Sequence, residues 1–134
     1  MQEFFKVEPR FVLIFLLFIA LIHSWALLTS AYFFYWWLDM AMHFMGGLWV
    51  ALCAFFALKK YSPADYVLLA LLLGAAGVLG ILWEFMEFGL DVIFNSAVFQ
   101  GDLMDTLSDL FFDLLGGATA YLFIISKKNS IIKE

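Results

Sequence analysis

Charge is what this sequence has least of. Charged side chains make up 14% of the chain and hydrophobic ones 66%, whereas an ordinary soluble domain is about a quarter charged. A water-soluble core cannot absorb that excess of apolar surface, so a soluble globular domain is excluded and an integral membrane protein is expected. Cysteine is nearly missing. The lone Cys53 rules out an intramolecular disulfide framework and a thiolate metal cluster, and reads as a small apolar residue inside a helix. Basic residues are few and clustered at Lys6, Arg10, Lys59, Lys60, Lys127, Lys128 and Lys133. They form no broad patch, so nucleic acid is not an expected partner. The chain also lacks a G-x-S-x-G elbow and an H-E-x-x-H run, which removes serine-hydrolase and zincin readings.

What is present is a series of long apolar runs. Spans are expected at about 11–28, 37–58, 64–88 and 105–125, each near the length needed to cross a bilayer. They give an all-α, four-helix transmembrane bundle occupying 1–134 as one domain. Pro9 is placed to open the first helix. A cleaved signal peptide would have a shorter apolar region and a small-residue cleavage site, so the first span is read as retained. Tyr32 to Trp37, YFFYWW, suits a membrane–water interface. Ser62-Pro63-Ala64-Asp65 reads as a helix start, with Ser62 capping and Asp65 at the capping-box position. Asp91 to Gly101 reads as the longest non-spanning connection, and Asp102 as the cap of the last helix. Small residues four apart, Gly47/Ala51, Ala70/Gly74, Ala76/Gly80 and Gly116/Ala120, would let helix backbones approach closely in lipid.

Every basic residue lies before the first span, between the second and third, or after the fourth. The positive-inside rule then puts both termini in the cytoplasm. The acids follow the opposite rule. Apart from Glu3, Glu8, Asp65 and Glu134, all of them fall at the outer ends of three helices. The second helix carries Asp39 and His43 at i, i+4. The third carries Glu84, Glu87 and Asp91 at i, i+3, i+7. The fourth carries Asp102, Asp105, Asp109 and Asp113 within GDLMDTLSDLFFDLLGG, on one stripe of roughly 80°. Axial rise puts Asp113 about 16 Å below Asp102.

No lysine or arginine on that side can neutralise these groups. Buried acids without a basic partner either share protons or bind a cation. Asp39, Asp102 and Asp105 sit at helix N-termini, where the dipole favours negative charge; Glu84, Glu87 and Asp91 sit at a C-terminus, where it opposes them. Asp109 and Asp113 lie beyond the reach of a cap. The expected metal ligands are therefore His43, Glu84, Glu87, Asp109 and Asp113. Asp39 is expected to orient His43, and Asp91, Asp102, Asp105 and His23 are additional candidates. Carboxylates with one imidazole suit a divalent Mg, Mn, Zn or Fe ion. The ferritin-like pattern of two E-x-x-H helices is absent; Glu84 and Glu87 give E-x-x-E instead.

LDMAMHFMGG, with Asp39, His43, Phe44 and Gly46, is followed by LWEFMEFGLD and then by the aspartate-rich run. This series, covering about Tyr35 to Tyr121, resembles the YjdF-like inner-membrane proteins of unknown function. More loosely it is similar to the VanZ-like family, which carries a basic residue after the first aspartate where this chain has Met40. The resemblance implies a small helical bundle with a polar pocket in the inner membrane.

Three functions fit these residues. One is a metal-dependent enzyme acting on a membrane lipid or lipid-linked substrate at the outer leaflet, with metal as Lewis acid and a spare carboxylate as base. No catalytic residue is assigned. The second is a cation carrier or sensor, which would need a route through the apolar inner halves, supplied by a homo-oligomer. The third is a structural membrane subunit whose acids are protonated or paired by a partner.

Overall fold

The computed structural model describes residues 9–95 and 101–131. The described residues form helices α1 (Pro9–Thr29), α2 (Ala31–Phe34), α3 (Trp37–Leu58), α4 (Asp65–Phe94) and α5 (Leu103–Ile131), with a 3-10 turn at Lys59–Tyr61 and no strand. The four long helices are each long and apolar enough to cross a membrane. α1 begins at Pro9, whose fixed φ suits the first helical position. Three non-glycine residues in the left-handed region, Ser30, Ser62 and Asn95 (φ 56°, 50° and 49°), stand at the breaks after α1, after the 3-10 turn and after α4.

Two boundary readings change. α4 does not stop near residue 88: it runs through Asp91 to Phe94, because Val92, Ile93 and Phe94 continue the apolar helix until Asn95 caps it. Its 30 residues reach about 45 Å, longer than a hydrocarbon core of about 30 Å, so this helix overhangs the bilayer. Of the connection expected from Asp91 to Gly101, residues 96–100 lie outside the described residues. The capping box at Ser62 does not form either. Ser62 is left-handed, Ala64 is the cap residue without a side-chain bond, and Asp65 is the first helical residue. Its carboxylate accepts from Lys128 Nζ at 2.6 Å instead, a charge-assisted bond. Asp102 does cap α5: its Oδ1 accepts from the backbone N–H of Met104 and Asp105 at 2.9 and 3.0 Å.

α3, α4 and α5 pack around one seam, with α5 parallel to α3 and antiparallel to α4. Its half towards the C-terminal end of α3 is an apolar core of Ala51, Phe55, Leu68, Leu72, Ala120 and Ile124. Lipid is as apolar as this core, so close packing rather than burial from water holds the seam. Gly47 and Gly116 set the spacing. A Cβ on Gly47 would collide with the Asp113 carbonyl, and one on Gly116 with the backbone of Phe44 and Leu48. Of the small-residue pairs, Gly47/Ala51, Ala76/Gly80 and Gly116/Ala120 are buried in the seam, while Ala70 and Gly74 face outward. α1 lies outside this trio on α3 and α2, through Ala26, Ala31 and Leu38, and Val12 O accepts from Trp49 Nε1 at 2.9 Å.

Candidate metal centre

Above the Gly47–Gly116 crossing the seam turns from apolar to acidic. The same close approach that seals the apolar half brings Asp113 against α3 and α4: Gly80 carries no Cβ, which would otherwise overlap the Asp113 carboxylate. Asp113 Oδ2 reaches His43 Nδ1 at 3.2 Å. A carboxylate can only accept, so Nδ1 carries the hydrogen and donates. That leaves Nε2 of a neutral imidazole as a lone pair.

The lone pair faces carboxylates. His43 Nε2 lies 3.9 Å from Glu84 Oε1 and 4.0 Å from Asp39 Oδ1, both too long for a hydrogen bond. Two bonds of about 2.0–2.2 Å to a shared ion can span up to about 4.4 Å. Two sets of side chains could each surround an ion, Asp39 with His43 and Asp109, and His43 with Glu84 and Glu87, their ligand atoms all within 4.8 Å of one another.

Burial sharpens the point. His43 is 6% exposed, Glu84 5%, Asp109 2% and Asp113 5%. Glu84 Oε2 accepts from Thr106 Oγ1 at 2.9 Å, but Glu84 Oε1 and Asp109 Oδ1 are buried with no hydrogen-bond partner. An unpartnered buried polar atom costs about 1–3 kcal/mol, more when charged. Among the described residues, charged pairs within the cluster run through His43 alone, and the sequence holds no lysine or arginine between Lys60 and Lys127. The donor set therefore fits a hard or borderline divalent cation.

Each expected site residue has a definite place. His43, Glu84, Glu87 and Asp109 come together, and Asp39 joins them. Asp113 takes the orienting position on the far side of the imidazole that was expected of Asp39. Asp102 is occupied as the helix cap. Asp91 and Asp105 fall in neither set. His23 bonds through Nδ1 to the Tyr32 hydroxyl at 2.7 Å, also outside both sets. Two further polar side chains escaped the sequence reading. Thr106 serves Glu84, and Trp83 Nε1 donates to Glu87 Oε1 at 2.9 Å. Their helical spacing was a usable signal: Thr106 is three residues before Asp109, and Trp83 four before Glu87.

Fold and site together define an all-α membrane protein whose helices bury a carboxylate–histidine cluster at one end. The chain matches, over residues 2–129, the model of a family described as "Predicted membrane protein (DUF2238)", and it belongs to that family. It is similar to an "Uncharacterized protein" of Thermotoga maritima, 37% identical over 100 residues, which cover 71% of this chain and 50% of the relative. The match thus spans about half the length of that relative. No solved structure matches the chain.

Proposed function

We propose that the two sets sharing His43, one with Asp39 and Asp109 and one with Glu84 and Glu87, hold a divalent cation of the Mg, Mn, Zn or Fe group, and that this centre belongs to a metal-dependent enzyme acting on a lipid or lipid-linked substrate. The observation that carries the reading is the pair of orphaned buried oxygens, Glu84 Oε1 and Asp109 Oδ1, which a cation would satisfy. When bound, the ion would supply Lewis acidity and activate water. Asp113 holds the imidazole through Nδ1, as orienting partners of metal-bound histidines do, and a carboxylate of the cluster that does not hold the ion would serve as the proton acceptor.

Lys59 and Lys60 follow α3, Lys128 meets Asp65 at the start of α4, and the acids lie at the opposite end. The positive-inside rule supports reading that basic end as cytoplasmic, with both termini inside and the cluster on the extracytoplasmic side of the inner membrane. Its motifs fit the YjdF-like group within the family. What speaks for an enzyme over a carrier is the packing below the site. Ala51, Leu72 and Ala120 are fully buried, and the α3–α5 crossing has no room for a methyl group, so among the described residues the seam offers an ion in the cluster no path inward.

Elemental analysis of the purified protein tests the reading, repeated on Glu84→Ala and Asp109→Ala. Metal near stoichiometry in the wild type and its loss in both variants is expected. Unchanged metal in both variants would overturn the ligand assignment.

A further inference from the structure

α1 and α2 contribute no member of either ligand set, yet a row of contacts runs from them into the cluster. It begins at Ser30, whose left-handed backbone (φ 56°) turns the chain so that α2 sets Tyr32 against α1. Ala26, Ala31 and Leu38 lock the corner, with Ile22 and Tyr32 packed on them. There the Tyr32 hydroxyl meets His23 Nδ1 at 2.7 Å. Burial, and then the nearby Asp39 and Glu87 carboxylates, push the Tyr32 phenol well above its usual range. It keeps its proton, and the hydroxyl and Nδ1 share that hydrogen bond.

The imidazole of His23 is held in turn edge-on against Trp83, ring centroids 5.6 Å apart and planes at 76°. Trp83 is the residue whose Nε1–H reaches Glu87 Oε1 at 2.9 Å. Glu87 needs such a tether. It is less buried than Glu84, so packing alone does not fix it. With one oxygen occupied by the indole, the other is free to turn towards His43 and Glu84.

We infer that Tyr32, His23 and Trp83 are a positioning chain: they hold Glu87 as a ligand, so that the peripheral helix α1 sets the affinity of a centre to which it donates no ligand. The inference rests on the cation reading of the preceding section. Removing an outer partner of a metal ligand typically weakens metal binding about 10- to 100-fold.

The test is Mn²⁺ binding to the purified full chain, followed by electron paramagnetic resonance. Trp83→Phe keeps a ring for His23 to pack on and deletes only the N–H, so the fold is retained. Its Kd for Mn²⁺ should rise about tenfold or more, and Tyr32→Phe should raise it in the same direction by less. In a Glu87→Gln background, Trp83→Phe should change the affinity no further, because the ligand it positions is gone. A merely structural tryptophan would lower affinity equally in both backgrounds. Wild-type protein that binds Mn²⁺ and loses it in His43→Ala, with Trp83→Phe unchanged, overturns this inference and leaves the cation centre standing. Wild-type protein that binds no Mn²⁺ overturns both.

Discussion

Replacing Glu84 by glutamine should stabilise the metal-free protein and remove most of the stability that metal adds. Glu84 Oε2 accepts a hydrogen bond from Thr106, while Oε1 points at His43 Nε2 with no donor. Glutamine keeps an oxygen for Thr106 and puts a neutral NH₂ where the charge was. Without a cation, the substitution removes a buried unpartnered charged oxygen, so the chelated variant should be more stable than the chelated wild type by about 1–3 kcal/mol. With a cation, that advantage is offset. A ligand present at 100 times its Kd stabilises by about 2.7 kcal/mol. If loss of Glu84 weakens binding about 100-fold, the same metal concentration equals the new Kd and stabilises by only about 0.4 kcal/mol. Some 2 kcal/mol of metal-linked stability should therefore vanish.

The assay is denaturant or thermal unfolding of detergent-solubilised protein, in EDTA and then across Mg²⁺, Mn²⁺ and Zn²⁺. The variant should lead in chelator, and metal should shift the comparison towards the wild type by about 2 kcal/mol. A wild type indifferent to EDTA would refute the reasoning. So would a variant that is less stable than the wild type by the same amount in both conditions, since that pattern means lost packing alone.

Gly47→Ala should destabilise by at least the 1–3 kcal/mol typical of overpacking, because its methyl would meet the Asp113 carbonyl, whereas Gly74→Ala, with nothing within 4 Å, should be neutral or slightly stabilising; unfolding midpoints of the two decide it. In a Cys53→Ala background, a membrane-impermeant thiol reagent applied to intact cells should modify Leu103→Cys at the start of α5 and spare Ser62→Cys; the reverse pattern would invert the topology. For Tyr32, the folded state holds the phenol proton more tightly than the unfolded chain, whose pKa is near 10.0. Its contribution is therefore intact below that pH and is lost as pH rises above it. The unfolding midpoint should fall in alkali, and Tyr32→Phe should flatten that fall.

The parts of the site legible in the sequence are those that lie within single helices. Asp39 and His43 at i, i+4 share a face because 3.6 residues make a turn, and their side chains do approach to 4.0 Å. The same arithmetic places Glu84 with Glu87 on α4 and Asp109 with Asp113 on α5. It cannot say which face of one helix meets which face of another. Asp39 and Asp113 show the difference. From spacing alone Asp39 reads as the partner that orients His43; the rotation of α5 against α3 gives that place to Asp113 and brings Asp39 to the other ring nitrogen. Asp102 and Asp105 belong to the same stripe as Asp109, yet Asp102 is taken up capping its own helix and neither enters a ligand set.

The chain's composition determined by itself that this is a bundle of membrane-length helices, because runs of some twenty apolar residues have no other stable setting. It also determined that basic and acidic residues collect at opposite ends of those helices. Tertiary structure alone decided which carboxylates face His43, which serve as caps or tethers, and which oxygens are left without a donor. Those outcomes depend on the rotation and depth at which α3 and α5 interlock. That depth is set at Gly47 and Gly116, where two backbones touch because neither residue has a side chain to keep them apart.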